Sequence, residues 1–121
     1  MLFRSRARPL HLRPGSCQAE PLTLPPRSGP ALGLFGDSKY LTGQCALTPG
    51  DIILLFTDGL VEVEGADGED FGQERLLAAT STRQSLPLGK MMDELIAEVR
   101  GFSGGAEFSD DVCLLAMERA A

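Results

Sequence analysis

Pro49-Gly50-Asp51-Ile52-Ile53-Leu54-Leu55-Phe56-Thr57-Asp58-Gly59 is the stretch whose reading decides the fold. Ile52 to Phe56 is an apolar run of strand length without polar alternation, the pattern of a strand buried on both faces. The chain enters it through Thr48-Pro49-Gly50-Asp51, a turn in which Pro fixes φ and Gly takes a conformation strained for other residues. It leaves through an acidic turn, Asp58-Gly59. Some fifty residues on, a second acidic pair, Asp110-Asp111, precedes another apolar run, Val112 to Met117. Carboxylates delivered at the ends of two strands suit a hard cation such as Mg²⁺ or Mn²⁺, which prefers oxygen ligands. Taken singly, Asp58 reads far better as a turn or N-cap aspartate, and Asp110 and Asp111 as a turn former and a solvated neighbour; it is the two strand-end sites together that favour a shared cation.

Outward from this stretch, Pro9 to Arg13 alternates like a short strand, and Pro14-Gly15-Ser16 closes it as a turn. A second short strand near Glu20 to Leu24 would make a hairpin with it. Pro25-Pro26 ends that strand, and Ser28-Gly29-Pro30 with Gly33 marks an irregular loop. Tyr40 to Leu47 mixes aromatic, β-branched and small residues and reads as a strand, expected to lie beside Ile52–Phe56 with the Val112 strand on the other side. Glu64 to Asp70 is a Gly-containing acidic loop, and Phe71 opens a short helix ending near Thr80. Leu88, Met91, Met92, Leu95, Ile96, Val99 and Phe102 fall at the i, i+3, i+4, i+7 spacing of one helix face. Pro87 suits the first turn of that helix, and Gly101 or Gly104 its end. The methionine pair at this spacing is better read as a helix packing on a sheet than as a binding groove. Ser103 to Ser109 is a loop, and Asp111 to Glu118 the last strand.

The chain of 121 residues fits one domain, and an apolar content of 43% supports a core, built mainly from aliphatic residues because Trp is absent. The formal net charge of −6 is unevenly placed. Residues 1–30 carry Arg4, Arg6, Arg8, Arg13 and Arg27 against Glu20 alone. That leaves six of the eleven basic and sixteen of the seventeen acidic residues for the rest. Such an acidic body lacks the basic face a nucleic-acid binder needs. No stretch approaches the ~20 apolar residues of a membrane span, and Met1 to Arg8 has charge without the apolar segment of a secretory signal. Cys17, Cys45 and Cys113 are odd in number and lack metal-type spacing, and the single His argues against a structural zinc site. Cys113, inside the apolar run, reads as a small core residue. The cysteine usage implies a reducing, cytoplasmic setting.

Several phosphate-handling motifs are tested by Leu55-Phe56-Thr57-Asp58-Gly59. It resembles the haloacid-dehalogenase signature, but Phe56 stands where that chemistry needs a nucleophilic Asp. A receiver domain places its acidic pair before the phosphorylated Asp, the reverse of the order here. An EF-hand beginning at Asp58 fails at Leu60, and no G-x-x-x-x-G-K phosphate loop is present.

The ordered series is more specific than any one piece. Gly29-Pro30-Ala31-Leu32-Gly33 and Leu47-Thr48-Pro49-Gly50-Asp51 are followed by Phe56-Thr57-Asp58-Gly59-Leu60-Val61-Glu62. After these come Phe71-Gly72-Gln73-Glu74-Arg75-Leu76 and Asp110-Asp111-Val112-Cys113-Leu114-Leu115. Together they resemble the C-terminal half of the metal-dependent PPM-type (protein phosphatase 2C-like) serine/threonine phosphatases, in the bacterial SpoIIE-like branch. The resemblance implies an α+β fold, a layered antiparallel β-sandwich with flanking helices, present as a partial domain. Residues 9–118 would be the C-terminal portion of that domain and residues 1–8 an irregular N-terminus. It implies a binuclear Mn²⁺ or Mg²⁺ centre and hydrolysis of phosphoserine or phosphothreonine by metal-activated water. Carried over by position, Asp58 and Asp110 would be metal ligands, Asp111 would support them, and Gly59 would let the strand end approach the site.

The departures carry expectations of their own. The family's Asp in a Gly-His-Gly-containing segment has no counterpart here, nor does an Asn-Ala-Gly-His-Pro-type segment before Pro9-Leu10-His11-Leu12. His11 is offset from the family's histidine, and no catalytic side chain is assigned. The chain is therefore expected to hold an incomplete metal site, to be inactive in isolation, and to expose strands open to self-association. The family resemblance implies a phosphorylated regulatory protein as partner, such as an anti-sigma-factor antagonist, in bacterial signalling. The competing reading is a non-catalytic interaction module that keeps the phosphatase scaffold.

Overall fold

Apolar runs and turn residues divide the chain, in the computed structural model, into β1 (Leu10–Leu12), β2 (Glu20–Pro21), β3 (Ile52–Phe56), α1 (Asp58–Val61), α2 (Gly72–Ser81), α3 (Leu88–Phe102) and β4 (Leu114–Glu118). The structure describes residues 7–16, 18–22, 33–40, 42–105 and 107–120. The Pro25-Pro26 break, the Ser28–Pro30 loop, most of the Gly29–Gly33 motif and Cys17 lie outside them. The strands form one antiparallel sheet in the order β2-β1-β3-β4. This is an α+β architecture, with β3 in the interior as its unbroken apolar run requires.

Opposite residues of an antiparallel pair share a sheet face, so the register sorts the side chains. Leu10 stands opposite Leu54, and Leu54 opposite Ala116; Leu12 stands opposite Ile52, and Phe56 opposite Leu114. This first face packs on the helices. Leu10, Leu54, Leu60, Leu76, Met91, Leu95 and Val99 are fully buried in one continuous core. The α3 boundaries match those expected from periodicity, and its buried residues, Met91, Leu95 and Val99, come from the predicted stripe. Phe71, just before α2, meets Phe102 of α3 edge to face at 5.3 Å between ring centroids. Arg75 lies 4.7 Å over the same ring.

The Tyr40–Leu47 strand does not form: residues 42–47 carry no regular structure, and Thr42 to Ala46 are exposed. Gly43, Gln44 and Ala46 offer little apolar surface to bury, and β1 takes the place beside β3 instead. Its side chains Leu10 and Leu12 fill the core that the 42–46 segment could not.

The turn into β3 forms as the sequence indicates. Asp51 N–H donates to the Thr48 carbonyl at 3.0 Å, and Gly50 takes φ 89°, where a side chain would be strained. Its unforeseen feature is Asp51, read at first only as a turn residue. It is buried at 1% exposure against His11 of β1, itself buried at 4%, with His11 Nε2 donating to Asp51 Oδ2 at 2.8 Å. The Thr48 amide and hydroxyl donate to the same carboxylate at 3.1 and 3.0 Å. The His11 hydrogen bond foremost, with those from Thr48, holds the Asp51 carboxyl below its ordinary pKa, against the opposing effect of burial.

A lowered native pKa means that the unfolded chain takes up the proton first as pH falls. The stability from Asp51 is thus complete above the unfolded carboxylate value of about 3.9 and is lost as pH falls through the lower native value. Urea unfolding across the acid range should show stability declining with acid in the wild type, and a flatter dependence in Asp51→Asn. Equal slopes for the two proteins would disprove the assignment.

Candidate metal centre at the ends of β3 and β4

Two strand ends meet here. The β3–β4 ladder pairs Ile52 with Glu118 through to Phe56 with Leu114, which carries Thr57-Asp58-Gly59 alongside Asp110 to Cys113. Beyond the last strand pair the backbone contact continues, with Thr57 N–H donating to the Cys113 carbonyl at 3.1 Å. A side chain then takes over: Thr57 Oγ1 accepts from Cys113 N–H at 3.0 Å and donates to the Asp111 carbonyl at 3.2 Å. Thr57 is the N-cap of α1, yet makes no side-chain cap hydrogen bond there. Its hydroxyl is committed to the neighbouring segment. This is why β4 begins at Leu114 rather than at the expected Asp111: Thr57 Oγ1 replaces a rung of the ladder.

Gly59 completes the junction. A Cβ built on it would lie 2.3 Å from the Asp111 carbonyl oxygen and 3.4 Å from Asp110 Cβ. Only a residue without a side chain lets the first turn of α1 sit this close to the Asp110–Asp111 segment. Asp58 is thereby fixed beside it, half-buried, with Oδ1 accepting from Ala7 N–H at 2.8 Å. Asp110 Oδ1 accepts from Asp111 N–H at 2.8 Å, and both residues are exposed. The structure therefore brings Asp58, Gly59, Asp110 and Asp111 to one place. Thr57 was missed as part of it; its position between a buried strand and an acidic turn was the available signal.

Carboxylate oxygens are the right kind of donor for Mn²⁺ or Mg²⁺. They are few for such an ion, which takes about six oxygens. No group of three or more His, Cys, Asp or Glu side chains that could hold a metal occurs among the described residues. This donor set fits part of a metal site and not a whole one.

The family model for Stage II sporulation protein E (SpoIIE) matches residues 7–120. The chain belongs to the SpoIIE family. Its fold agrees with that of the SiaA-PP2C domain of Pseudomonas aeruginosa, at a TM-score of 0.71 and 22% identity, over 94% of this chain and 44% of that one. Protein IcfG of Synechocystis sp. is 26% identical over 92 residues, 76% of this chain and 14% of IcfG. The chain thus spans less than half of that solved domain and about one seventh of that curated relative. The SpoIIE match and the fold together establish part of a PPM-type phosphatase domain, as the ordered motifs imply. No helix among the described residues is long and apolar enough to cross a membrane.

His11, which the sequence set apart from the family's histidine, sits in β1 bonded to Asp51 at the entry end of β3. The acidic cluster lies at the exit end, beyond Phe56. Cys113, expected in the core, is exposed. The correction follows from register, since positions 113, 115 and 117 share the sheet face opposite the helices.

Proposed function

We propose that the chain is part of a metal-dependent protein serine/threonine phosphatase that acts on phosphoserine or phosphothreonine of a regulatory protein. The observation that carries this reading is the close approach of Gly59 to Asp110 and Asp111, which joins the two acidic strand ends into one oxygen-rich cluster. In this reading residues 9–118 are the phosphatase portion. Asp58 and Asp110 would hold Mn²⁺ or Mg²⁺, with Asp111 in support and Thr57 and Gly59 setting their spacing. The metal, when bound, supplies charge neutralisation at the phosphoryl oxygens and an acidified water. What this chain's own residues do is bind and orient. Asp58 is held by the Ala7 amide, and the Asp110–Asp111 segment by the Thr57 hydroxyl.

With so few carboxylates available, the isolated chain is expected to bind the ion weakly and to hydrolyse little or nothing. An anti-sigma-factor antagonist is the substrate class this family reading favours, in a cytoplasmic setting. The second reading, a non-catalytic interaction module, is favoured by one observation: Leu115 and Met117 are about half exposed on the open sheet face.

The test measures Mn²⁺ binding by the 121-residue chain, alongside hydrolysis of a phosphoserine peptide. Weak binding, diminished in both Asp58→Asn and Asp110→Asn, with no turnover, is expected. Binding indifferent to both substitutions would remove the proposed site. Mn²⁺-dependent turnover abolished by Asp58→Asn would overturn the claim of inactivity.

A further inference from the structure

Gln73, the second residue of α2, uses only half of its side-chain amide. Nε2 donates to the Arg8 carbonyl at 3.0 Å, whereas Oε1 is buried with no partner among the described residues. A buried acceptor left without a hydrogen bond is costly. The reverse orientation of the amide would set two acceptors against each other at Arg8, so the donor is what this position supplies.

One residue earlier, Ala7 N–H donates to Asp58 Oδ1 at 2.8 Å. Residues 7–9 belong to no helix or strand, since β1 begins at Leu10. They are a short link between firmer supports. α2 is one: Leu76, Ala79 and Thr80 are buried, Phe71 packs on Phe102, and Arg75 Nη1 donates to the Phe71 carbonyl at 3.2 Å. The sheet is the other, with Leu22 N–H donating to the Pro9 carbonyl at 2.7 Å. The hold on the Arg8 carbonyl places the Ala7 amide, and the Ala7 amide turns the Asp58 carboxylate. A cation shared by Asp58 and Asp110 needs both carboxylates aimed at one point, within about 0.5 Å and 10–20°.

We infer that Gln73 is a positioning residue for this cation site, fixing the Asp58 carboxylate from the first turn of α2 through Arg8 and Ala7. The inference rests on the proposed reading of Asp58 as a cation ligand. Gln73 does not touch the cation; its effect passes through two backbone groups. Coupling between two sites is reciprocal. A cation at Asp58 therefore tightens the contact between Gln73 and Arg8, and loss of that contact weakens the hold on the cation. A tether that merely kept residues 7–9 in place would leave cation affinity untouched.

NMR of the 121-residue chain, titrated with Mg²⁺, reads both ends of the link. Gln73→Met keeps the length of the side chain and removes the donor. In the metal-free variant the Ala7 amide proton should shift upfield as its hydrogen bond to Asp58 loosens. Mg²⁺ binding should weaken by roughly three- to tenfold, the worth of one neutral hydrogen bond. The urea midpoint of the metal-free protein should stay near that of the wild type, because the lost hydrogen bond is offset by removal of the orphaned oxygen. An Ala7 amide unmoved by Gln73→Met would overturn the inference. Mg²⁺ affinity equal to the wild type would do the same and leave the metal reading intact. A wild-type chain that binds no Mg²⁺, or binds it no better than Asp58→Asn, would refute the metal reading and the inference with it.

Discussion

Leu54→Ala is expected to lower the unfolding free energy by about 3–5 kcal/mol, the range for a fully buried leucine whose cavity cannot collapse. Leu54 has no exposed surface, and lies mid-strand in β3 between Leu10 of β1 and Ala116 of β4. A strand hydrogen-bonded on both sides cannot shift to fill the space left behind. For a chain of this size the loss corresponds to a fall in Tm of roughly 10–20 °C. Leu115→Ala is the contrast: its side chain is 52% exposed, and surface truncations usually change stability by under about 0.5 kcal/mol. Urea denaturation of the two variants side by side, read under conditions where the chain is monomeric, measures the difference. Similar losses for both would mean that the open face is packed after all.

Gly59→Ala is expected to be destabilising even though it places a better helix former in a helix. Alanine gains at most about 1 kcal/mol of propensity over glycine, and α1 is a helix of only four residues. Against this, the new methyl would sit 2.3 Å from a backbone oxygen of Asp111, which cannot swing aside as a flexible side chain would. Overpacking of this kind costs about 1–3 kcal/mol, so the clash outweighs the propensity. Gly89→Ala and Gly101→Ala in α3 supply the comparison, because a Cβ there meets nothing within 4 Å. Those two should stabilise by about 0.5–1 kcal/mol. Gly59→Ala should also weaken Mn²⁺ binding, since relief of the clash separates Asp58 from Asp110. Thr57→Val, which keeps the shape and removes the hydroxyl, should cost about 1 kcal/mol. Neutral stability in Gly59→Ala would show that the junction is looser than the geometry requires.

Local patterns and long-range pairings differ in how far the sequence discloses them. The stripe from Leu88 to Phe102 and the apolar run of β3 each fill one element, so periodicity and length suffice to bound them. The β3 neighbours depend on which distant segment buries more apolar surface, and no local pattern of Tyr40 to Leu47 reveals that Leu10 and Leu12 compete for the same ladder. Cys113 looked like core because its run is apolar, whereas its exposure depends on which face its register selects. Asp58, Asp110, Asp111 and Gly59 were legible as a group through the ordered family motifs. Thr57 and the His11–Asp51 pair were not, because each acts across 40 residues or more through a single side chain.

The Thr57 hydroxyl also carries a kinetic consequence. Its two partners are 54 and 56 residues away along the chain, with all three helices between. Contacts of such separation form only after the intervening loop has closed, and they slow folding accordingly. The acidic cluster therefore cannot preassemble on a local fragment of the chain; it exists only once β4 has docked beside β3. A cation captured there would bind the folded state alone, raising stability by about 2.7 kcal/mol at a hundredfold excess over its Kd. Its uptake during refolding would mark the closing of the sheet rather than the formation of the helices.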